Sequence, residues 1–365
     1  MAPDRSLDHL PLVGPGTRRG GGLRPVARLE VSPHDVQRLP DDELGGHLLA
    51  GFGVTATAVE TVTGGTEARV WRVGTDDGRT WAARWSLAGV PVGQHVAAAF
   101  ALDCPGGGQA VPARATDGSL GYACADGTLT LTSWLDGPTA IAEPLTAPTW
   151  FALGRLVGRL HAVDPAVVPG LPVVDFTPGW WRGTFDAVER ARDVPAVDDR
   201  ARAVLETWDA SRRRVLLVRE HTERIGHRLH ELQRHEPTAL PMVVCHGDPH
   251  QGNVVVTGPG SVALVDWDSA VLAPAEHDLM FVLGGTYSAR PVTEQDAAEF
   301  FTGYGRVDID DDRLAYARGV RLLEDASDWA RRALDPARPD EERDEAHGIL
   351  RTVLGPDGLV DLVLG

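Results

Sequence analysis

The chain has 365 residues, which is enough for one large domain or two moderate domains with cores of their own. Its formal net charge of −17 argues against nucleic acid and anionic membranes as partners. The charge would attract a cationic small molecule, although an acidic surface also serves solubility, and both explanations stay open. Because there is no membrane-length apolar run, no apolar core of a secretory signal and no disulfide or zinc spacing among the three cysteines, we expect a cytoplasmic protein with reduced thiols.

The N-terminal part of the sequence changes character near residue 30. Residues 1–30 are rich in Gly, Pro and Arg and lack hydrophobic periodicity, which predicts a disordered extension. A helix is predicted next, with Ser32 as its N-cap and Pro33 at the first helical position, ending at about Leu49.

Short apolar runs bounded by turn residues then predict antiparallel strands, at 54–62, 68–73 and 80–85. The first two are joined by Gly64-Gly65-Thr66. Glycines let backbone N–H groups approach phosphate oxygens closely, and Gly-Gly is also an ordinary hairpin turn. The loop is therefore a candidate phosphate-binding loop.

A helix over about 92–102 and a second hairpin, 121–125 with 128–134, follow in the sequence. The helix contains no acidic residue. Trp134-Leu135-Asp136-Gly137 then marks either a hinge between two lobes or a simple linker. Clefts between lobes are common ligand pockets, so a hinge here could contact a nucleotide base.

Helical patterns dominate the rest of the chain. An amphipathic helix is predicted over 147–163, another helix begins at Trp180-Trp181, a long charged helix occupies 198–235, and three helices are predicted within 293–355. Paired tryptophans are frequent in cores and in ligand sites, and both interpretations stay open for Trp180.

The stretch from Met242 to Leu279 contains the polar residues that phosphoryl transfer needs. Asp248 lies in a His-Gly-Asp turn after an apolar run, Asn253 follows five residues later, and Asp266 ends the next apolar run. Gly-Pro-Gly between the two runs predicts a β-hairpin, which brings Asn253 and Asp266 to one end of the same structure.

These residue types fit the chemistry of γ-phosphoryl transfer. An Asp can orient a substrate hydroxyl and accept its proton, whereas Asn and Asp oxygens are suitable ligands for Mg²⁺. Protein kinases place a base Asp and an Asn five residues apart and a metal-binding Asp after a hairpin. Asp248, Asn253 and Asp266 have the same order and spacing.

The segments HGDPHQGN, LVDWD and APAEHDL resemble the aminoglycoside phosphotransferase family, bacterial relatives of protein kinases, and are most similar to its spectinomycin phosphotransferase branch. The resemblance is strong over 240–330 and traceable from about 58. It implies an α+β, bilobal, protein-kinase-like fold with a small antiparallel-sheet lobe at 31–137 and a mostly helical lobe at 138–365. It also implies an ATP- and Mg²⁺-dependent kinase for a small, cationic, hydroxylated molecule, an aminocyclitol or aminoglycoside antibiotic such as spectinomycin, and hence antibiotic resistance.

The resemblance also implies a role for each candidate residue. Asp248 is the catalytic base, Asn253 and Asp266 bind the metal, and His246 and Asp278 support the catalytic loop. The residues implied to contact the nucleotide are Gly64, Gly65, Thr66, Arg84, Trp134 and Leu135. The residues implied to contact the substrate are Trp180, Asp268, Glu324 and Asp325.

Two departures from the family pattern concern the nucleotide. Family members carry a lysine where this chain has Arg84, since all 35 basic residues are arginine, and they pair that lysine with a glutamate of the next helix, which this chain lacks. The planar guanidinium of arginine is bulkier than the ammonium of lysine, and its donors point in different directions. A ligand-binding pseudokinase and a kinase for another small alcohol therefore remain alternatives.

Overall fold

A computed structural model describes the chain at residues 39–62, 68–87, 89–103, 110–168, 170–177, 179, 181–284, 291–355 and 358–364. Four predicted features lie outside these residues: the N-terminal extension, the helix start at Ser32-Pro33, the loop Gly64-Gly65-Thr66, and Trp180.

A five-stranded antiparallel sheet with the order β1-β2-β3-β5-β4 forms the N-terminal part. Its strands are β1 (Ala56–Val62), β2 (Arg69–Thr75), β3 (Thr80–Ser86), β4 (Tyr122–Cys124) and β5 (Gly127–Ser133). Successive side chains of a strand point to opposite faces. Trp71, Ala83 and Trp85 are buried on the face that packs against the first helix, so Arg72 and Arg84 lie on the other face.

The first helix of the described residues, α1 (Asp41–Phe52), begins directly after Pro40. We expected it to run from Ser32, but Pro40 has extended backbone angles and occupies the N-cap position. A proline inside a helix removes a backbone donor and clashes with the preceding turn, so the continuous helix to Leu49 was wrong. Acidic side chains fill its first turn, where the helix dipole favours them.

The remaining helices are α2 (Val92–Asp103), α3 (Ala147–His161), α4 (Trp181–Ala191), α5 (Asp199–His235), α6 (Glu276–Leu279), α7 (Glu294–Tyr304), α8 (Asp311–Leu334), α9 (Asp340–Leu354) and α10 (Leu359–Leu364). The three helices predicted within 293–355 are confirmed as α7, α8 and α9. Among the described residues, no helix is both long and apolar enough to cross a membrane.

Two small antiparallel pairs of strands support the predicted site. β6 (Val243–Cys245) pairs with β9 (Val271–Ala273), and β7 (Val254–Gly258) pairs with β8 (Ser261–Leu264). The predicted hairpin is confirmed, and Val254 lies opposite Leu264. Its two ends therefore lie side by side, which brings Asn253 close to the chain that leads to Asp266.

Two apolar cores hold the helical part together. One joins α2, α3 and α7 to the small strands; the other joins α4, α5, α8 and α9, and it contains the buried Trp181. All the described residues belong to one compact unit. The α+β class is confirmed, and the boundary between residues 137 and 138 stays a prediction.

Candidate active site

Asp278, on the single-turn helix α6, holds the chain just before Asp248. Its Oδ2 accepts the backbone N–H of His246 at 2.8 Å and its Oδ1 accepts that of Gly247 at 2.8 Å. Gly247 has φ of +87°, and a Cβ atom there would lie 2.0 Å from the carbonyl oxygen of Ser269. Glycine is therefore required at this position.

Asp278 is also the end of a buried chain of polar side chains. His161 Nε2 lies 3.0 Å from Asp278 Oδ2, and His161 Nδ1 lies 2.7 Å from the Tyr304 hydroxyl. Because a carboxylate only accepts, His161 donates to Asp278 through Nε2. Burial alone would raise the pKa of Asp278, but the hydrogen bond and charge of His161 hold it below its usual value.

His246 links the predicted catalytic loop, residues 246–253, to the chain that follows β8. Its Nε2 lies 3.0 Å from the Val265 carbonyl oxygen, and its Nδ1 accepts the backbone N–H of Asp248 at 3.3 Å. This pattern fits the neutral ring with its proton on Nε2, and burial lowers the pKa of His246 accordingly. One imidazole thus ties Asp248 to the residue that precedes Asp266.

Asn253 is buried and fixed against the same loop. Its side-chain nitrogen donates to the Asp248 carbonyl oxygen at 2.9 Å. Since the amide nitrogen faces that acceptor, the carbonyl oxygen of the side chain is the atom that can bind a cation. The backbone of Asn253 also accepts the N–H of Val265 at 3.0 Å, which continues the hairpin towards Asp266.

Asp266 precedes a 3-10 turn, Trp267–Ser269, and has φ of +61°. Left-handed backbone angles are uncommon outside glycine, and aspartate tolerates them better than most residues. Such conformations are concentrated at functional sites. The side chain is exposed at the end of β8, so it is accessible to a bound ion.

Arg321, on α8, contacts the predicted base directly. Its Nη1 donates to Asp248 Oδ1 at 2.8 Å, and its Nε lies 2.5 Å from Asp325 Oδ2. The guanidinium also lies over the ring of Phe281, with 5.4 Å between the guanidinium carbon and the ring centroid. The sequence analysis did not single out Arg321, because 73 residues separate it from Asp248.

The predicted substrate acids of α8 are not equivalent. Asp325 forms an ion pair with Arg321. Burial raises the pKa of the Tyr316 hydroxyl, and the charges of Asp175 and then Glu324 raise it further. The structure therefore connects Asp325 to Asp248 through Arg321 and places Glu324 near Tyr316.

Arg84, on β3, forms an ion pair with Asp268 of the 3-10 turn. The first turn of α2 packs on the same turn, because a Cβ atom at Gly93 would lie 1.9 Å from the carbonyl oxygen of Trp267. Asp268, predicted as a substrate residue, thus lies between the sheet and the predicted metal site.

The predicted hinge borders an open cleft of about 480 Å³. Trp134 and Leu135 line it together with the end of β1 and with Arg72, whose guanidinium carbon lies 5.3 Å from the centroid of the Trp134 ring. A second cleft of about 490 Å³ lies along α5, and none of the predicted site residues lines it.

Cys245, Asp278 and His161 place potential metal-binding atoms within 4.8 Å of one another. Burial raises the pKa of the Cys245 thiol well above its ordinary value, so the sulfur stays protonated. The thiol faces the carbonyl oxygens of Ala273 and Pro274 at 3.7 and 3.6 Å. In this structure the three side chains are engaged in hydrogen bonds, His161 with Asp278 and Tyr304, and Asp278 with the backbone of His246 and Gly247.

The catalytic loop, the hairpin and the 3-10 turn match a known sequence family. The family model described as the phosphotransferase enzyme family matches residues 58–317, more than half of the chain. The chain belongs to the phosphotransferase enzyme family. A search of curated protein sequences finds no match.

Solved phosphotransferase structures share the fold. The complex of spectinomycin phosphotransferase APH(9)-Ia with ADP and spectinomycin has 19% identity and a TM-score of 0.76, with 90% of this chain and 99% of that chain covered. An amicoumacin kinase in complex with AMP-PNP, Ca²⁺ and Ami has 16% identity and a TM-score of 0.56, with 89% and 98% covered. A thermostable mutant of APH(4)-Ia with AMP-PNP and hygromycin B has 14% identity and a TM-score of 0.54, with 88% and 97% covered.

These likenesses confirm the kinase-like fold, and the family match confirms the predicted resemblance and enzyme class. The chain is therefore a phosphotransferase. The roles of its individual residues stay predictions.

Proposed function

We propose that this phosphotransferase transfers the γ-phosphoryl group of ATP to a hydroxyl of a small cationic molecule, with an aminocyclitol such as spectinomycin as the first candidate. The observation that carries the proposal is the fixed position of Asp248. Asp278 holds the backbone before it, His246 and Asn253 hold its own backbone, and Arg321 holds one carboxylate oxygen. The other carboxylate oxygen then receives the hydroxyl and its proton.

The residues around Asp248 fit a magnesium ion. The side-chain oxygen of Asn253 and the carboxylate of Asp266 are oxygen ligands of the kind that Mg²⁺ prefers, and the hairpin supplies both from one end. When bound, the ion neutralises phosphate charge. Trp134 and Leu135 would contact the adenine in the cleft, and Arg84 would face the phosphates.

The substrate class rests on charge. The net charge of −17 favours the approach of a cationic molecule. On α8, Asp325 lies near Asp248, because Arg321 forms ion pairs with both carboxylates. The proposed location is the cytoplasm, where ATP is available, and the proposed consequence of phosphorylating an antibiotic is resistance.

A second candidate is a nucleotide-binding pseudokinase. The replacement of the family lysine by Arg84 and the lack of a glutamate before Asp103 in α2 support it, because a planar guanidinium is bulkier than an ammonium and points its donors differently. The arrangement of Asp248, Asn253 and Asp266 favours catalysis.

One experiment separates the two candidates. We expect purified protein with Mg²⁺ and ATP to phosphorylate one member of a panel of spectinomycin, aminoglycosides and simple alcohols. Removing a general base costs about 10²–10⁴-fold in rate, so Asp248→Ala should lose turnover while ATP binding persists. Asp312→Ala, which alters an exposed acid of α8, is the control. Near-full turnover in Asp248→Ala would disprove the assignment of the base, and ATP binding without turnover on any compound would favour the pseudokinase.

A further inference from the structure

The nucleotide side of the site contains an arginine whose usual partner is absent. The helix that follows β3 in the family supplies a glutamate, but α2 contains no acid before its last residue, Asp103. Gln94, near the start of α2, has its side-chain oxygen 3.3 Å from the hydroxyl of Thr132. This amide can contact the sheet, but it cannot neutralise a guanidinium.

The sheet register places Arg84 on the face that borders α2. Arg84 lies opposite Thr130 on β5 and opposite Val70 on β2, and directly opposed residues of antiparallel strands point to the same face. Thr132, which contacts Gln94, and Arg72, which lines the 480 Å³ cleft, are on this face too. Arg84 therefore extends towards the space between the sheet and the catalytic loop.

The carboxylate that meets Arg84 comes from another part of the chain. Asp268 is 184 residues from Arg84 in the sequence and two residues after Asp266. The side chains of both Arg84 and Asp268 are mostly buried, at 21% and 23% exposure, so solvent screens their attraction less than it screens a surface pair. Gly93 permits the close approach of α2 that covers this turn.

We propose that Asp268 takes the place of the missing helix glutamate and orients Arg84 towards the nucleotide phosphates. Asp268 is then a positioning residue that acts through Arg84, and it contacts neither the substrate nor the metal. A guanidinium has donors for a carboxylate on one edge and for a phosphate oxygen on another. The proposal rests on the proposed function only in that ATP binds between the sheet and the catalytic loop.

Nucleotide binding tests this proposal without knowledge of the acceptor. ATP titrations by calorimetry, with Mg²⁺ and separately with EDTA, would compare the wild type with Arg84→Met, Asp268→Asn and the double variant. Asp312→Asn, which breaks the exposed ion pair with Arg228, is the matched control. Urea unfolding of each variant confirms that it is folded.

We expect Asp268→Asn and Arg84→Met each to weaken ATP binding by about fivefold or more, and the double variant to bind no more weakly than Arg84→Met alone. Because Arg84 reaches the phosphates without a metal, the loss should persist in EDTA. An Asp268→Asn effect that disappears in EDTA and adds to that of Arg84→Met would make Asp268 a metal ligand and overturn the proposal. Unchanged ATP affinity in Asp268→Asn would overturn it in favour of a substrate contact.

These outcomes are independent of phosphoryl transfer. A protein that fails to phosphorylate every acceptor in the panel can still show the coupling between Arg84 and Asp268, and an active kinase can lack it. Arg84→Lys gives a further comparison. If Asp268 positions the cation, lysine should retain ATP affinity in the wild-type background, and Asp268→Asn should reduce that affinity as well.

Discussion

Replacing Asp278 by asparagine removes the charge of a buried side chain and changes its shape very little. The carboxylate accepts hydrogen bonds from two backbone N–H groups and from His161, and the side chain is 1% exposed. An amide has one accepting oxygen, so its NH₂ group must face at least one of these donors. A buried donor without an acceptor costs about 1–3 kcal/mol, and hydrogen bonds to a charged group contribute about 1.5–3 kcal/mol.

These terms predict that Asp278→Asn lowers the free energy of unfolding by about 3–5 kcal/mol, the range found when one partner of a buried ionic pair is removed. The whole fold is expected to be stable by about 5–15 kcal/mol, so the variant should remain folded. With a urea m-value of about 3 kcal/mol per M, the unfolding midpoint should fall by about 1 M or more, with the slope unchanged.

The control for this measurement is Asp312→Asn, because Asp312 and its partner Arg228 are each about half exposed. An exposed ion pair of this kind contributes about 0–1 kcal/mol. Equal midpoints for the two variants would refute the reasoning. Asp278→Asn should also lower turnover by about 10²-fold while ATP binding persists, since it releases the backbone before Asp248. Loss of stability with full turnover would show that Asp278 stabilises the fold without positioning the base.

Two further predictions concern Arg321 and three histidines near the site. Arg321→Met should lower turnover on the identified acceptor by about 10–10²-fold, because Asp248 loses the group that fixes its Oδ1. The control is Arg331→Met, which breaks the ion pair with Asp328 on the same helix and should leave turnover unchanged. Equal losses of turnover in the two variants would contradict the proposed role of Arg321. In the folded chain, burial lowers the pKa values of His246, His250 and His277 from their ordinary value of 6.5. Just below pH 6.5 the unfolded chain therefore binds more protons than the folded chain does. Stability should therefore be complete above pH 6.5 and decrease below it towards the folded pKa values, and a urea midpoint that is constant between about pH 7.5 and 5.5 would contradict this.

The elements that could be predicted are those that depend on local patterns. The hairpin of β7 and β8 follows from two apolar runs and a Gly-Pro-Gly turn, and its geometry brings Asn253 towards Asp266. The start of α1 could also have been predicted, since Pro40 is visible in the sequence, but Ser32 and Pro33 formed a stronger local signal for a helix start.

The contacts that could not be predicted join distant parts of the chain. Arg321 reaches Asp248 across 73 residues and Arg84 reaches Asp268 across 184 residues, and no periodicity or motif relates the members of either pair. The contacts of His161 with Tyr304 and Asp278 could not be predicted either, because nothing in the sequence of the helix that ends at His161 indicates what its last side chain contacts. Such pairs are determined by how α8, β3 and α3 pack, and that depends on the whole core.

The absence of lysine has a consequence for substrate recognition. Arg321 contacts Asp248 and Asp325 at once, and Arg84 contacts Asp268, so two arginines partly neutralise the carboxylates on both sides of the catalytic loop. Asp328, one turn beyond Asp325, is paired with Arg331 and Arg332. A cationic acceptor must therefore share these acids with guanidinium groups. Under the proposed function, the net charge of −17 would act mainly by attracting the acceptor from solution, whereas the choice among hydroxyls would depend on the oxygen of Asp248 that Arg321 does not hold.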